Sequence, residues 1–467
     1  MKRASVIVQY ALLAGPLLSM LDSSIVNVAI IPIARGLHTT LGTAQWVASS
    51  YLLALGTGLA GTAWLARRFG IIPVYRASLI GFTLTSAACA FAPDAGWLIA
   101  ARVIQGLVAA PLVPLAMSLL FGGSKAGAGD AAPGVTQPPG AAAPASAAQS
   151  VSATAGVLLF AAPALGPTIG GALIGTAGWR TIFAINLPFG ALAALAAWRL
   201  HDGDGDRRYG EKFDVTGLVV LAGGLATLLY GVTSSRWDVA AGGAVLLAGY
   251  GWHAARTEHP ALDLAMARDP VAALSVGLCA LASVVTWAAV FLLPVFAQSV
   301  QGHSALAAGV AMAPQGLVTG VSTALSRNLR LPVRPMVGTG FAVLAIASLG
   351  ILAIGVATPL WVIAVILAVR SVSIGLVINP LLQAVTGRRG AGADATTLFN
   401  VVQRVAGSFG IGLLAALYSG LARSPGPVAA LHVTALVIAG IAAAGALGSR
   451  FLPAGASSQS TVRATSA

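Results

Sequence analysis

The sequence predicts an all-α membrane protein with fourteen transmembrane helices, and three observations carry that expectation. The 467-residue chain is 57% hydrophobic and only 8% charged, with a mean hydropathy of +0.88, outside the range of ordinary soluble domains. Apolar runs of the length needed to cross a hydrocarbon core, about 20 residues for ~30 Å, recur from end to end. Basic residues, in turn, concentrate in every second break between those runs.

Read between polar breaks, the spans cover 6–31, 43–65, 72–92, 96–121, 152–175, 181–200, 215–234, 239–254, 270–298, 304–326, 335–356, 359–385, 395–421 and 427–449. The first is apolar throughout except for Asp22, and it continues past that acid without a small-residue cleavage site, so it reads as a retained span rather than a signal peptide. Arg67 and Arg68 break the second from the third, and Pro93-Asp94 the third from the fourth. The fifth is rich in Gly and Pro, which membrane helices tolerate because neighbouring helices satisfy the freed backbone. The seventh and eighth are short and Gly/Ala-rich, so a count of twelve stays open. The last six are long, and each is bounded by Pro, Gly or charge.

With the N-terminus taken as cytoplasmic, nineteen of the 26 basic residues fall on that side. Arg35, Arg180, Arg236 and Arg423 fall outside, and Arg102, Arg370 and Arg404 within spans. Such asymmetry sets topology: a multi-pass plasma-membrane protein with both termini cytoplasmic. The net charge of +13 is then topological, and no nucleic-acid partner is implied. Cys89 and Cys279 both lie inside spans, so neither a disulfide framework nor a metal site is expected.

Duplication is visible in outline. Gly58–Gly61 followed by Leu65-Ala66-Arg67 is echoed by Gly316–Gly320 followed by Leu325-Ser326-Arg327. Arg102 and Arg370 stand 268 residues apart, Gly166 and Gly407 only 241; the difference falls across a low-complexity stretch without apolar periodicity. The expected organisation is therefore an N-terminal six-helix bundle (1–121 and 152–200), interrupted by a disordered cytoplasmic insertion (122–151). A central loop with two extra helices (201–269), a C-terminal six-helix bundle (270–451) and a disordered cytoplasmic tail (452–467) follow. Halves of this kind are the usual trace of an alternating-access carrier with its substrate site between them. Asp202, Asp204 and Asp206 have calcium-loop spacing, but Arg207 and Phe213 occupy the positions that require Gly and Glu, so the loop is read as solvated.

Asp22 is the only acid well inside a span. A carboxylate in hydrocarbon is costly and normally faces a cavity or a partner, and a lone protonatable group in such a chain points to ion-coupled transport. A structural Asp satisfied by Ser or Asn is the alternative. Asp22 lies about 12 Å from the outer end of its span and Arg102 about 7.5 Å from the outer end of the fourth, so the two can meet. The alternative for Arg102 is a helix-end residue snorkelling to the interface. Gln105 and Gly106 share the face of Arg102.

Several segments together resemble the major facilitator superfamily, specifically its fourteen-span drug–proton antiporters. They are LDSSIVNVAI (21–30), WVASSYLLA (46–54), RVIQG (102–106), APALGPTIGG (162–171) with the following WRTIFAINLPFG, and QRVAGSFGIGLL (403–414). The resemblance implies the major facilitator fold, two six-helix bundles plus two central extra helices. It also implies a proton-coupled secondary antiporter that exports lipophilic drugs or natural products by alternating access. On this reading Asp22 and Arg102 couple to protons, and Ala162, Pro163, Gly166, Pro167, Gly170 and Gly171 form the antiporter motif. Arg67, Arg68 and Gly70 lie at the cytoplasmic gate the resemblance implies, where the family's usual Asp is replaced by Arg67.

Candidate cavity residues are Asn27, Tyr51, Gln105, Trp287, Phe291, Phe399, Asn400 and Arg404. Three intramembrane arginines against one aspartate would leave a cavity positive by two if all faced it, which suits monocationic, neutral or anionic amphiphiles. No enzyme signature or phosphate-binding Gly-Lys loop is present, so the expected energy source is the proton gradient, with no cofactor. The expected partners are a small amphiphilic substrate, protons and the bilayer, with the chain acting as a monomer. A facilitator or symporter for a metabolite, and a non-transporting membrane sensor or scaffold, are the competing functions.

Overall fold

Fourteen helices in chain order follow from the apolar runs. The structure is a computed structural model, and it describes residues 6–121, 165–200, 213–329, 331–387 and 393–453. The expected insertion (122–151), the start of the fifth span with Ala162 and Pro163, most of the loop after the sixth span, and the tail after 453 lie outside the described residues. The first six helices are α1 (Val6–Gly36), α2 (Trp46–Phe69), α3 (Ile71–Ala90), α4 (Ala95–Ala109, continued by Leu112–Phe121), α5 (Leu165–Ala177) and α6 (Thr181–Ala197). The middle pair is α7 (Val215–Thr233) and α8 (Trp237–Ala254). The last six are α9 (Pro270–Ser299), α10 (Ala305–Asn328), α11 (Val333–Leu349), α12 (Leu360–Thr386), α13 (Ala393–Leu421) and α14 (Pro427–Gly448).

Ten of these are long and apolar enough to cross a membrane. The two read as weakest from sequence, α7 and α8, are continuous helices of 19 and 18 residues, about 27–28 Å at the helical rise. Three of the acids serve helix starts. Asp94 accepts from the Trp97 N–H, Asp214 from Gly217, and Asp269 from Val271 and Ala272 ahead of Pro270 at the first helical position. Each satisfies donors that the first turn cannot pair internally.

The first six helices share one core, in which Tyr75, Phe82 and Phe183 are fully buried. A second core joins α9, α11, α12, α13 and α14 around Phe341 and Phe399. The middle pair packs on itself and on α2 and α13, with Leu221 and Tyr250 against Leu398 and Val401. The outer faces are apolar, with Leu195 66% and Ile346 69% exposed, as hydrocarbon solvation requires.

The two six-helix sets meet through α2 on α13, α1 on α9, and α1 on α10. Val28 of α1 is buried in a cluster with residues of α9, α10, α12 and α14, and the Gln298 amide donates to the Val28 carbonyl at 3.1 Å. These contacts lie toward the end of the bundle that holds the C-terminus of α1 and the N-terminus of α10. Near the middle of the helices, α1, α5, α9, α10, α12 and α13 line a cavity.

Candidate functional site

Asp22 sits near the midpoint of α1, with 1% of its surface exposed. One carboxylate oxygen accepts from the Arg102 guanidinium. The other accepts from the Asn186 amide at 3.2 Å and the Gln105 amide at 3.5 Å. Arg102 is itself fully buried and donates to the Val47 carbonyl at 3.0 Å and to Gln105 Oε1 at 2.7 Å. Its guanidinium lies 3.9 Å from the ring centre of Tyr51, a favourable cation–π placement. Ser86 closes the network, accepting from Gln105 at 2.8 Å and from Asn186 at 3.3 Å. Five helices, α1, α2, α3, α4 and α6, thus contribute to one polar cage.

Local sequence explains how the cage can form. In RVIQG, Arg102 and Gln105 lie three apart on one face, and Gly106 completes that face without a side chain. A Cβ at Gly106 would stand 2.5 Å from the Tyr51 carbonyl oxygen, so glycine allows α4 to approach α2 closely enough for Arg102 to reach Val47. The stripe Gly15, Ser19, Asp22 on α1 packs inside this bundle: Ser19 pairs with the Tyr51 hydroxyl at 3.1 Å, and Tyr75 fills the space over Gly15.

The C-terminal set carries a related arrangement in which the arginine meets no carboxylate. Arg370 on α12 is 4% exposed, donates to the Val285 carbonyl at 2.9 Å and bonds the Ser348 hydroxyl. Val285 and Ser348 stand at nearly the same offset from Asp22 and Ser86 as Arg370 does from Arg102. The duplicated half therefore keeps the arginine and the serine and has no carboxylate.

The cavity between the halves measures about 230 Å³ and is lined by α1, α5, α9, α10, α12 and α13. A second pocket of about 70 Å³ shares Met20, Ser23 and Arg404 with it. Of the residues expected at the cavity, Asn27, Trp287 and Arg404 line the larger space, and Asn400 lines the smaller with Arg404. Tyr51, Gln105, Phe291 and Phe399 line neither of these two pockets. Tyr51 lies under Arg102, Gln105 belongs to the cage, and Phe291 and Phe399, each 1% exposed, fill helix–helix cores. Arg102 is paired with Asp22 and Arg370 bonds within its own half, so of the three arginines Arg404 is the one that lines these pockets.

Sequence reading missed Asn186 and Ser86 in the cage, and Gln315, Thr319 and Gln403 at the cavity. Gln403 is adjacent to Arg404 in the quoted QRVAG segment, and Asn186 lies inside WRTIFAINLPFG, so both stood in recognised motifs. Gln315 carried no local signal.

Of the glycine- and proline-rich motif, Gly166, Pro167, Gly170 and Gly171 lie on α5. A Cβ at Gly166 or Gly170 would meet Ser24 or Ile25 of α1, and one at Gly171 would stand 2.5 Å from the Ala305 carbonyl oxygen of α10. Pro167 in turn lies against Gly309, and the Thr168 hydroxyl donates to the Gly309 carbonyl at 3.2 Å. The motif is a backbone-close seam joining α1, α5 and α10. Arg67 and Arg68 occupy the last turn of α2. Gly70, at φ 93°, makes the turn to α3 in a backbone region that favours glycine.

A duplicated helical bundle with an internal cavity between its halves and a buried charge pair beside it defines a membrane transporter, not an enzyme. The chain belongs to the Major Facilitator Superfamily, whose family model matches residues 12–122 and 126–411. It is 31% identical over 415 residues to a multidrug resistance protein B homolog of Mycobacterium tuberculosis, covering 85% of this chain and 73% of that one. It is 30% identical over 324 residues to the multidrug export protein EmrB of Escherichia coli (67% and 59%), and 29% over 313 residues to the tetracenomycin C resistance and export protein of Streptomyces glaucescens (65% and 55%). Among solved structures, an auto-inhibited POT family peptide transporter superposes with a TM-score of 0.69 at 14% identity, covering 96% and 97% of the two chains. A D-xylose–proton symporter superposes with 0.64 at 14% identity, covering 97% and 98%. Both show the major facilitator fold.

Proposed function

We propose that this transporter is a proton-coupled antiporter that exports amphiphilic drugs or natural products across the plasma membrane, working as a monomer with both termini cytoplasmic. The observation that carries this reading is the position of Asp22. It is held in the cage by one face of α1, while Met20, Ser23, Ser24 and Asn27 of the same helix line the cavity. A proton on Asp22 discharges the pair with Arg102. The arginine keeps the Val47 carbonyl, Gln105 and the Tyr51 ring as partners, so it stays in place while α1 loses its charged tether. Substrate in the cavity and a proton in the cage thus act on one helix from opposite faces.

The glycine seam supports movement of α1 against α5 and α10, because smooth backbone contacts slide with little side-chain rearrangement. With cytoplasmic termini, the contacts among Val28, Gln298, Gly171 and Ala305 close the extracellular end, so the cavity faces the interior from which an exporter loads. The names of the relatives from M. tuberculosis, E. coli and S. glaucescens support export. Everted vesicles with an acidic lumen test the proposal: adding a transported substrate should release protons from the lumen and partly collapse the pH gradient. Substrate flux that leaves the gradient untouched would favour a facilitator.

A further inference from the structure

The central cavity carries one charge, and it is positive. Arg404 lines both the larger and the smaller pocket, and among the described residues its guanidinium makes no hydrogen bond or ion pair. No carboxylate lines either pocket. Asp22 is 1% exposed and its oxygens are taken by Arg102, Gln105 and Asn186. Asp394, the acid on α13 itself, lies in its first turn, about 15 Å along the helix from Arg404. A guanidinium without a counter-charge in a membrane interior is costly, and a negatively charged ligand removes that cost.

Two polar side chains of the cavity lining also carry unmet acceptors. Asn27 Oδ1 and Gln315 Oε1 are buried acceptors with no hydrogen-bond partner, and both side chains line the cavity. Unmet acceptors of this kind call for donors. Trp287 lies against Gly407, where a Cβ would stand 2.5 Å from the indole Cδ1. Its ring is thereby placed on α13 one turn from Arg404, and Met20, Val290 and Ile378 complete an apolar wall.

We propose that this cavity selects amphiphilic organic anions: planar, largely apolar molecules whose anionic oxygen pairs with Arg404 and whose hydroxyl groups donate to Asn27 and Gln315. The assignment rests on the reading that exported substrate occupies this cavity. It excludes lipophilic cations as preferred cargo, since Arg404 repels them and nothing in the cavity attracts them.

Two xanthene dyes of similar shape and opposite charge test it, fluorescein as the anion and rhodamine 6G as the cation, with binding measured on the purified full chain in detergent at pH 7.5. The wild type should bind fluorescein at least about tenfold more tightly, the scale of one charge-assisted contact. Arg404→Gln should remove most of that preference and Arg404→Lys keep part of it. Gln403→Glu, which places a carboxylate of nearly unchanged size beside Arg404 and brings the formal charge of the cavity to zero, should abolish the preference. The last variant keeps the test decisive if Arg404→Gln fails to fold. Rhodamine 6G binding as tightly as fluorescein to the wild type overturns the inference, as does a preference unchanged in Arg404→Gln. Proton-dependent rhodamine 6G flux indifferent to Arg404→Gln would overturn the inference alone and leave the export reading standing. Binding of neither dye to the wild type would overturn both.

Discussion

Arg102 and Arg370 occupy corresponding places in the two halves, yet Arg102 donates to the carboxylate of Asp22 and Arg370 to the backbone carbonyl of Val285. The halves share a scaffold for a buried guanidinium, and only the first pairs it with a carboxylate. On the proposed function, coupling would then belong to the cage among α1, α2, α3, α4 and α6.

The asymmetry separates two otherwise similar substitutions. Arg102→Met leaves Asp22 buried without its counter-charge, a change that costs about 3–5 kcal/mol, so the variant should melt early in detergent and lose proton-driven transport. Arg370→Met removes a charge that has no acidic partner among the described residues. It should insert normally and keep the wild-type proton-to-substrate ratio, measured by parallel pH and substrate flux. A changed ratio in Arg370→Met would place a coupling role in the second half.

Glycine positions give a packing test. The Cβ of Gly106→Ala would meet the Tyr51 carbonyl at 2.5 Å and that of Gly171→Ala the Ala305 carbonyl at 2.5 Å, whereas Gly175→Ala meets nothing within 4 Å. Overpacking of this kind costs about 1–3 kcal/mol. Gly106→Ala should lower thermal stability by separating α4 from α2, and Gly175→Ala should not. Gly171→Ala should retain substrate binding but slow turnover, because it obstructs the seam between the halves. Binding and transport rate, measured side by side, check it.

A pH-dependent contribution is expected at the start of α7. Burial raises the Asp214 carboxyl, but the His253 hydrogen bond and the Gly217 and Ala261 N–H groups outweigh it and hold the group below its ordinary value. A carboxyl depressed on folding stabilises the protein above its unfolded pKa, near 3.9, and loses that contribution as pH falls through the lower folded value. Asp214→Ala should therefore cost about 1 kcal/mol at pH 7, the usual scale of a lost cap. Its melting temperature should converge on the wild type's as pH drops below about 4. A gap that persists there would assign the effect to packing.

What the sequence made legible follows the strength of each local constraint. Span positions were readable because burial in hydrocarbon demands long apolar runs, and even α7 and α8, the short and Gly/Ala-rich pair, form continuous helices. The Asp22–Arg102 contact was readable because so few charges occur in spans and their depths match. The aromatic residues were not: Tyr51, Phe291 and Phe399 are as suited to a core as to a cavity, and only tertiary packing assigns them to the core. Asn186 and Ser86 were missed because small polar residues recur in membrane helices, and their convergence on Asp22 depends on how α3 and α6 face α1. Asn27 and Trp287 lie at the cavity because α1 and α9 happen to present those faces, which no pattern along the chain specifies.

The measurement closest to the central claim compares wild type and Asp22→Asn in proteoliposomes, following proton movement while substrate runs down its own gradient. The amide keeps the shape of the carboxyl and can still bond Arg102, but it cannot take up a proton. The wild type should move protons against the substrate flow. Asp22→Asn should fold, bind substrate and exchange it down a gradient while moving no protons. Proton movement by Asp22→Asn at the wild-type ratio to substrate would show that coupling resides elsewhere in the molecule.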